Sequence, residues 1–138
     1  MASFPFELVS PERLVYSGSV TEVIVPGAEG EFTVLAGHAP FVSTLKPGVL
    51  TIKGDGALRK LFVRGGFAEA NPQGLTVLAE MTVPLTETSM EQFTQMIRNA
   101  EEDLEDARDD ATRQKRATYL GDLKAAALAI EAAGRVTH

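Results

Sequence analysis

Residues 25–50 read VPGAEGEFTVLAGHAPFVSTLKPGVL. Three turn signals, Pro26-Gly27, Gly37-His38-Ala39-Pro40 and Pro47-Gly48, fall at near-regular intervals between short apolar runs rich in β-branched residues. That punctuation is the mark of an antiparallel β domain, because glycine and proline stop a strand while the runs between them are too short for helices. Working outward, apolar clusters at 4–9, 20–25, 32–35, 41–45, 49–52, 58–63, 67–70 and 75–81 continue the pattern. Gly54-Asp55-Gly56 predicts a hairpin and Asn71-Pro72-Gln73-Gly74 a β-turn, since these residues accept the backbone angles such turns require. So many short strands in so few residues predict a compact sandwich or flattened barrel of eight to ten strands.

The material changes near residue 85. All seven prolines lie at or before Pro84, and ten of the twelve glycines at or before Gly74. Beyond Thr86 the chain is dominated by Ala, Glu, Asp, Leu, Arg and Gln, most of them good helix formers. Met90, Phe93, Met96, Ile97, Ala100, Leu104 and Ala107 recur at helical spacing, and Ser89 with Gln92, or Thr88 with Glu91, offers a capping box. A second run places Ala117, Leu120, Leu123, Ala127, Leu128 and Ile130 on one side and predicts an end at Gly134. The expected organisation is α+β: a β-sandwich over residues 1–86, then an antiparallel two-helix hairpin over 87–138 joined near Asp109–Thr112. Both apolar stripes are thin and rich in alanine, so the hairpin is expected to lean on other surfaces for stability.

Composition narrows function. The net charge is −6 over 138 residues, which argues against nucleic acid or anionic lipid as a partner, since both need basic patches that release counterions. The absence of cysteine excludes disulfides and thiolate chemistry. No window approaches the ~18 consecutive apolar residues of a membrane span. The opening MASFPFELVSPER lacks a basic segment followed by an apolar one, so a soluble, unexported chain is expected.

Candidate chemistry is sparse. His38 would be the first acid–base candidate, but the second histidine is His138, and no Ser/His/Asp or His/carboxylate spacing surrounds either. A turn residue packed at a subunit surface is the better reading. Gly27 and Gly30 imitate a phosphate loop, yet Glu29 and Glu31 would repel an anion and the loop leads into a β-like run rather than a helix. Gly65-Gly66 marks a bulge or a close backbone approach. The acidic run from Glu101 to Asp110 lacks the glycine and alternating ligands of a calcium loop and reads as a solvated helix face. No catalytic residue and no metal site is expected.

The order of turns in 23–50, with Gly65-Gly66, resembles the epsilon subunits of bacterial F-type ATP synthases, and the likeness extends in architecture over nearly the whole chain. It implies a non-catalytic component of the central stalk, coupling the membrane c-ring to the gamma subunit so that torque from proton flow reaches the catalytic head. By position in the matching motif it assigns Ser10, His38, Ala39, Pro40 and Phe41 to the gamma contact, with Phe41 as the aromatic anchor. Ala28, Glu29, Gly30 and Glu31 become the loop that meets the c-ring. Location would be peripheral, at the cytoplasmic face of a bacterial inner membrane, without membrane insertion.

The hairpin departs from the family pattern. Where several relatives begin their first helix with an Ile/Leu-Asp-x-x-Arg-Ala motif that helps bind ATP, this chain has Met90-Glu91-Gln92-Phe93-Thr94-Gln95. Only Glu91 keeps the acid, and Thr94 replaces the guanidinium, the natural phosphate clamp. No cofactor is therefore expected. Arg113, Lys115 and Arg116 supply the basic residues through which family hairpins reach an acidic segment of the catalytic beta subunit. The rest of that helix is alanine-rich, so inhibition of ATP hydrolysis is expected to be weak or absent. Two other readings are a nucleotide-responsive sensor whose hairpin closes over ATP, and a sandwich enzyme. The first lacks phosphate-binding residues and the second lacks convergent polar groups.

Overall fold

The structure, a computed structural model, describes residues 2–54, 56–85 and 87–136, with side chains given within the second helix only as far as Leu128 and within the first only from Glu91. Asp55 of the expected hairpin, and the side chains of Thr88, Ser89, Met90 and Ile130, lie outside the described residues, as does His138.

Among the described residues ten strands precede two helices: β1 (Phe4–Ser10), β2 (Arg13–Val20), β3 (Glu22–Gly27), β4 (Gly30–Leu35), β5 (Phe41–Thr44), β6 (Gly48–Gly54), β7 (Ala57–Arg64), β8 (Phe67–Asn71), β9 (Gly74–Leu78), β10 (Met81–Pro84), α1 (Glu87–Glu105) and α2 (Asp110–Val136). The chain divides into two compact units, 1–84 and 85–138.

In the first unit the strands form two sheets, ordered β2-β1-β9-β8-β5 (sheet A) and β10-β7-β6-β3-β4 (sheet B). Alternation along the strands decides which side chains face inward. Phe4, Phe6 and Leu8 from β1, with Ala68, Ala70, Leu75 and Val77, line sheet A. They meet Val23, Val25, Val34, Leu50, Ile52, Leu61 and Val63 of sheet B. The side chains of Phe6, Leu8, Leu50, Ile52 and Leu75 are fully buried. Such a sandwich core forms because each strand hides one face in it and leaves the other to solvent or a partner.

Among the described residues the strand pairings are antiparallel except one: β1 runs parallel to β9, with Phe6 opposite Leu75 and Val9 opposite Leu78. The two are joined by the whole intervening chain, so no hairpin constrains their direction. Gly65 and Gly66 carry the chain from sheet B to sheet A. Gly66 has φ +96, and a Cβ there would lie 1.7 Å from the carbonyl oxygen of Leu78. The Gly66 carbonyl in turn accepts from the Leu45 amide at 3.1 Å. This is the close backbone approach that the glycine pair announces in the sequence.

In the second unit the two helices pack together. Phe93, Ala100 and Ala107 are buried, with Met96, Ile97 and Leu104 half-buried, as the spacing predicts. Helix α1 starts at Glu87, earlier than either expected capping box, so Thr88 and Ser89 lie in its first turn. The stripe of α2 is Leu120, Leu123 and Ala126, whereas Ala117 and Leu128 are exposed. The expected stripe failed there because so many alanines blur the apolar period. Helix α2 also runs through Gly134 to Val136. A lone glycine does not end a helix when the residues around it continue the hydrogen-bond ladder.

Candidate functional site

Apolar side chains are uncovered at Leu35 and Leu58 of sheet B, one to a strand, and in a continuous row on the outer face of sheet A. A bulge displaces the β1–β2 register between Leu8 and Val9, so Leu8 opposes Tyr16 while Val9 opposes Leu14. That extra residue turns Leu14 outward beside Val9. Val9 opposes Leu78, Leu78 opposes Phe67, and Phe67 opposes Thr44. Leu14, Val9, Leu78, Phe67 and Thr44 therefore form one row across all five strands of the sheet. Leu14 is 57% exposed, Leu78 38% and Phe67 37%, and Val42, one outward position along β5 from Thr44, is 70% exposed. Single surface apolar residues need no explanation, but a contiguous row on one face is a candidate contact surface.

The sequence-assigned residues fall at the two ends of this face. Ser10 ends β1 and its hydroxyl donates to the Arg13 carbonyl at 3.3 Å, closing the turn into β2. His38 stands at the opposite end, in the corner between β4 and β5. Its Nδ1 lies 3.0 Å from the Leu35 carbonyl oxygen, its Nε2 lies 3.1 Å from that of Asn71, and its ring meets Phe4 edge-on at 5.3 Å. These contacts tie the corner to the β8–β9 turn, where Asn71 Oδ1 accepts from the Gln73 and Gly74 amides. Ala39 and Pro40 are exposed. Phe41 is half-buried, its ring edge-on to Phe32 at 5.1 Å and packed against the core. Most of its apolar surface is thus spent inside the sandwich. Ser10 and the His38–Phe41 corner do not form one cluster.

Ala28 and Glu29 form a two-residue turn, with Gly27 and Gly30 paired across its base. The Ala28 amide donates to the Thr44 carbonyl at 2.9 Å, which fixes the turn to the end of β5. Ala28, Glu29 and Glu31 are exposed and Gly30 is half-buried. The loop leads from strand to strand, so no helix N-terminus is present to hold a phosphate.

On the hairpin, Asp109 caps α2. Its carboxylate accepts from the Thr112 amide at 2.7 Å and the Thr112 hydroxyl at 2.9 Å. These two bonds, with the Arg116 charge, hold its carboxyl below the ordinary aspartate value of 3.8. Two of the residues assigned to a catalytic-subunit contact are engaged inside the hairpin: Arg113 donates to the Ala107 carbonyl and Arg116 to the Asp103 carbonyl. Helix α1 has no basic residue in its last turn, so the Arg116 guanidinium serves its negative end from the neighbouring helix, while Arg113 ties down the connection. Lys124 lies 3.9 Å from Glu101, a second tie between the helices. Lys115 and Glu91 are exposed. Among the described residues no cluster of three or more His, Asp or Glu is placed to hold a metal ion.

Sequence reasoning missed the apolar row. Its members lie on five strands far apart in the chain, and one of those strands, β2, was not foreseen; the only signal was Leu14 following Arg13 in a segment without clear alternation.

The sequence model of the ATP synthase delta/epsilon chain β-sandwich domain matches residues 3–84. The chain is similar to the ATP synthase epsilon chain of Parvibaculum lavamentivorans, 50% identical over 86% of this chain and 91% of that one. It is similar to the one of Mesorhizobium japonicum, 47% identical over 88% and 90%. Among solved structures, a chain of the Euglena gracilis mitochondrial ATP synthase (OSCP/F1/c-ring) matches with a TM-score of 0.72 at 26% identity, covering 91% of this chain and 82% of that one. A fold shared across a sandwich and a hairpin, a family model filling the sandwich, and identity near half over most of both chains point one way: the chain belongs to the delta/epsilon family of ATP synthase subunits, among the bacterial epsilon chains.

Proposed function

We propose that the chain is a non-catalytic rotor component of the proton-translocating F-type ATP synthase, joining the c-ring to the gamma subunit. The observation that carries this reading is the apolar row Leu14–Val9–Leu78–Phe67–Thr44, a ready contact surface on a stiff, hydrogen-bonded sheet. Gamma lies across this face, with Ser10 at one end of its footprint and His38, Ala39, Pro40 and Phe41 at the other. The Ala28–Glu31 turn meets the c-ring and gives the rotor its register there. A spacer that transmits torque must not shear, and two sheets locked through a common core meet that need.

The 1–86 segment is the coupling part and 87–138 a regulatory appendage with weak or absent inhibition. Arg113 and Arg116 support this, because contact with the catalytic beta subunit would first break their bonds within the hairpin, to the Ala107 and Asp103 carbonyls. The chain binds no nucleotide of its own and sits peripherally at the cytoplasmic face of the inner membrane; none of its described helices is long and apolar enough to cross a membrane. The test is a pull-down of gamma and c-ring with wild-type chain beside Phe67→Glu. Wild-type capture that the introduced charge abolishes is expected, and equal capture by both would refute the assigned face. Removing residues 88–138 is expected to leave coupling intact and ATP hydrolysis nearly unchanged, whereas several-fold activation would contradict the weak-inhibition reading.

A further inference from the structure

The outer face of sheet A carries a second row beside the apolar one, and that row is acidic. Glu7 opposes Ser17 on β2 and Thr76 on β9, Thr76 opposes Glu69 on β8, and Glu69 opposes Val42 on β5. Two residues along β1, β9, β8 and β5 set this row about 7 Å from the apolar one, and two strand spacings put the glutamates about 9–10 Å apart with Thr76 between them. Both are exposed. Among the described residues neither has an ion-pair partner. Neither row contains a lysine or arginine.

We infer that Glu7 and Glu69 are specificity contacts that set the register of the docked partner. The surface then fits a protein that presents an apolar ridge flanked by two lysine or arginine side chains at matching spacing. This rests on the reading of the face as the gamma-binding surface, and gamma is the occupant to which it commits. Charge argues against other occupants: a nucleic acid or an anionic membrane would be repelled, and a second copy would bring like carboxylates together with no cation in either row to meet them. The division of labour follows from position. The apolar row supplies area removed from water, while charges beside it act on encounter rate and on rejection of wrong registers.

The experiment measures association and dissociation of the full-length chain with purified gamma across a range of ionic strength. Wild type is compared with Glu7→Gln/Glu69→Gln, Glu7→Lys/Glu69→Lys and Leu78→Glu; all the altered residues are exposed, and thermal unfolding of each variant checks that the fold is kept. The glutamine pair is expected to slow association by roughly three- to tenfold at low salt and to flatten its salt dependence. The lysine pair should slow it further, and Leu78→Glu should lose capture. If Leu78→Glu loses capture while both glutamate variants keep the wild-type rate and salt dependence, the face is the docking surface and the inference about the glutamates is overturned. If Leu78→Glu binds as wild type does, the reading of the face fails and takes the inference with it.

Discussion

Gly66 is the residue on which the joining of the two sheets turns. Its positive φ and the Leu78 carbonyl where a Cβ would stand leave no room for a side chain. Gly66→Ala is expected to destabilise the sandwich by at least about 2–3 kcal/mol, read as a lowered urea midpoint. Gly121 is the opposite case: a Cβ there meets nothing within 4 Å, so Gly121→Ala should stabilise α2 by about 1 kcal/mol and raise the hairpin's unfolding temperature. A drop in stability would mean that the helix needs the glycine. From sequence alone a glycine inside a helical pattern can be a packing point or a soft spot, because only its neighbours distinguish the two. His38 was legible as a turn residue without catalytic company. Its two carbonyl partners were not, since Leu35 and Asn71 meet it only through the pairing of strands. His38→Ala should cost about 1 kcal/mol of sandwich stability by loss of a hydrogen bond and the Phe4 edge contact.

At the scale of elements, the hairpin's bend is an electrostatic construction. Asp109 caps α2 while Arg113 reaches back to the Ala107 carbonyl in the connection and Arg116 to the Asp103 carbonyl in the last turn of α1. Because the Thr112 bonds lower the Asp109 pKa in the folded hairpin, its contribution is complete above the ordinary value of 3.8 and is lost as pH falls through the lower folded value. Helicity of the wild type should therefore fall below about pH 4, and Asp109→Asn should show a smaller fall over that range, followed by circular dichroism. An identical acid profile in the two chains would show that the cap plays no part. The strands between Val25 and Leu50 were legible because each begins or ends at or beside a Gly or Pro: Gly27, Gly30, Pro40 and Gly48. Two strands were not. Strand β2 is an edge strand whose bulge breaks its alternation, and only Val20 at its end is fully buried. Strand β10 follows β9 with only Ala79 and Glu80 between them, so the change of sheet leaves no turn signature in the sequence.

For the whole molecule, the sequence reaches the division into sandwich and hairpin because composition changes near residue 85, but it does not reach the proposed contact face. The apolar row exists only after a bulge has turned Leu14 outward and a parallel pairing has set Val9 beside Leu78. Those are consequences of topology, and topology is what places Ser10 and His38 at opposite ends of one surface. On the proposed rotor role, the chain should fail as a coupler when the row is charged, even though its core is untouched. The direct measurement is ATP-driven proton pumping by membranes carrying ATP synthase stripped of its own epsilon subunit, with the full-length chain added back. Wild type is predicted to restore pumping and Leu78→Glu to leave it absent; pumping that the wild type does not restore, or that Leu78→Glu restores equally well, would contradict the account.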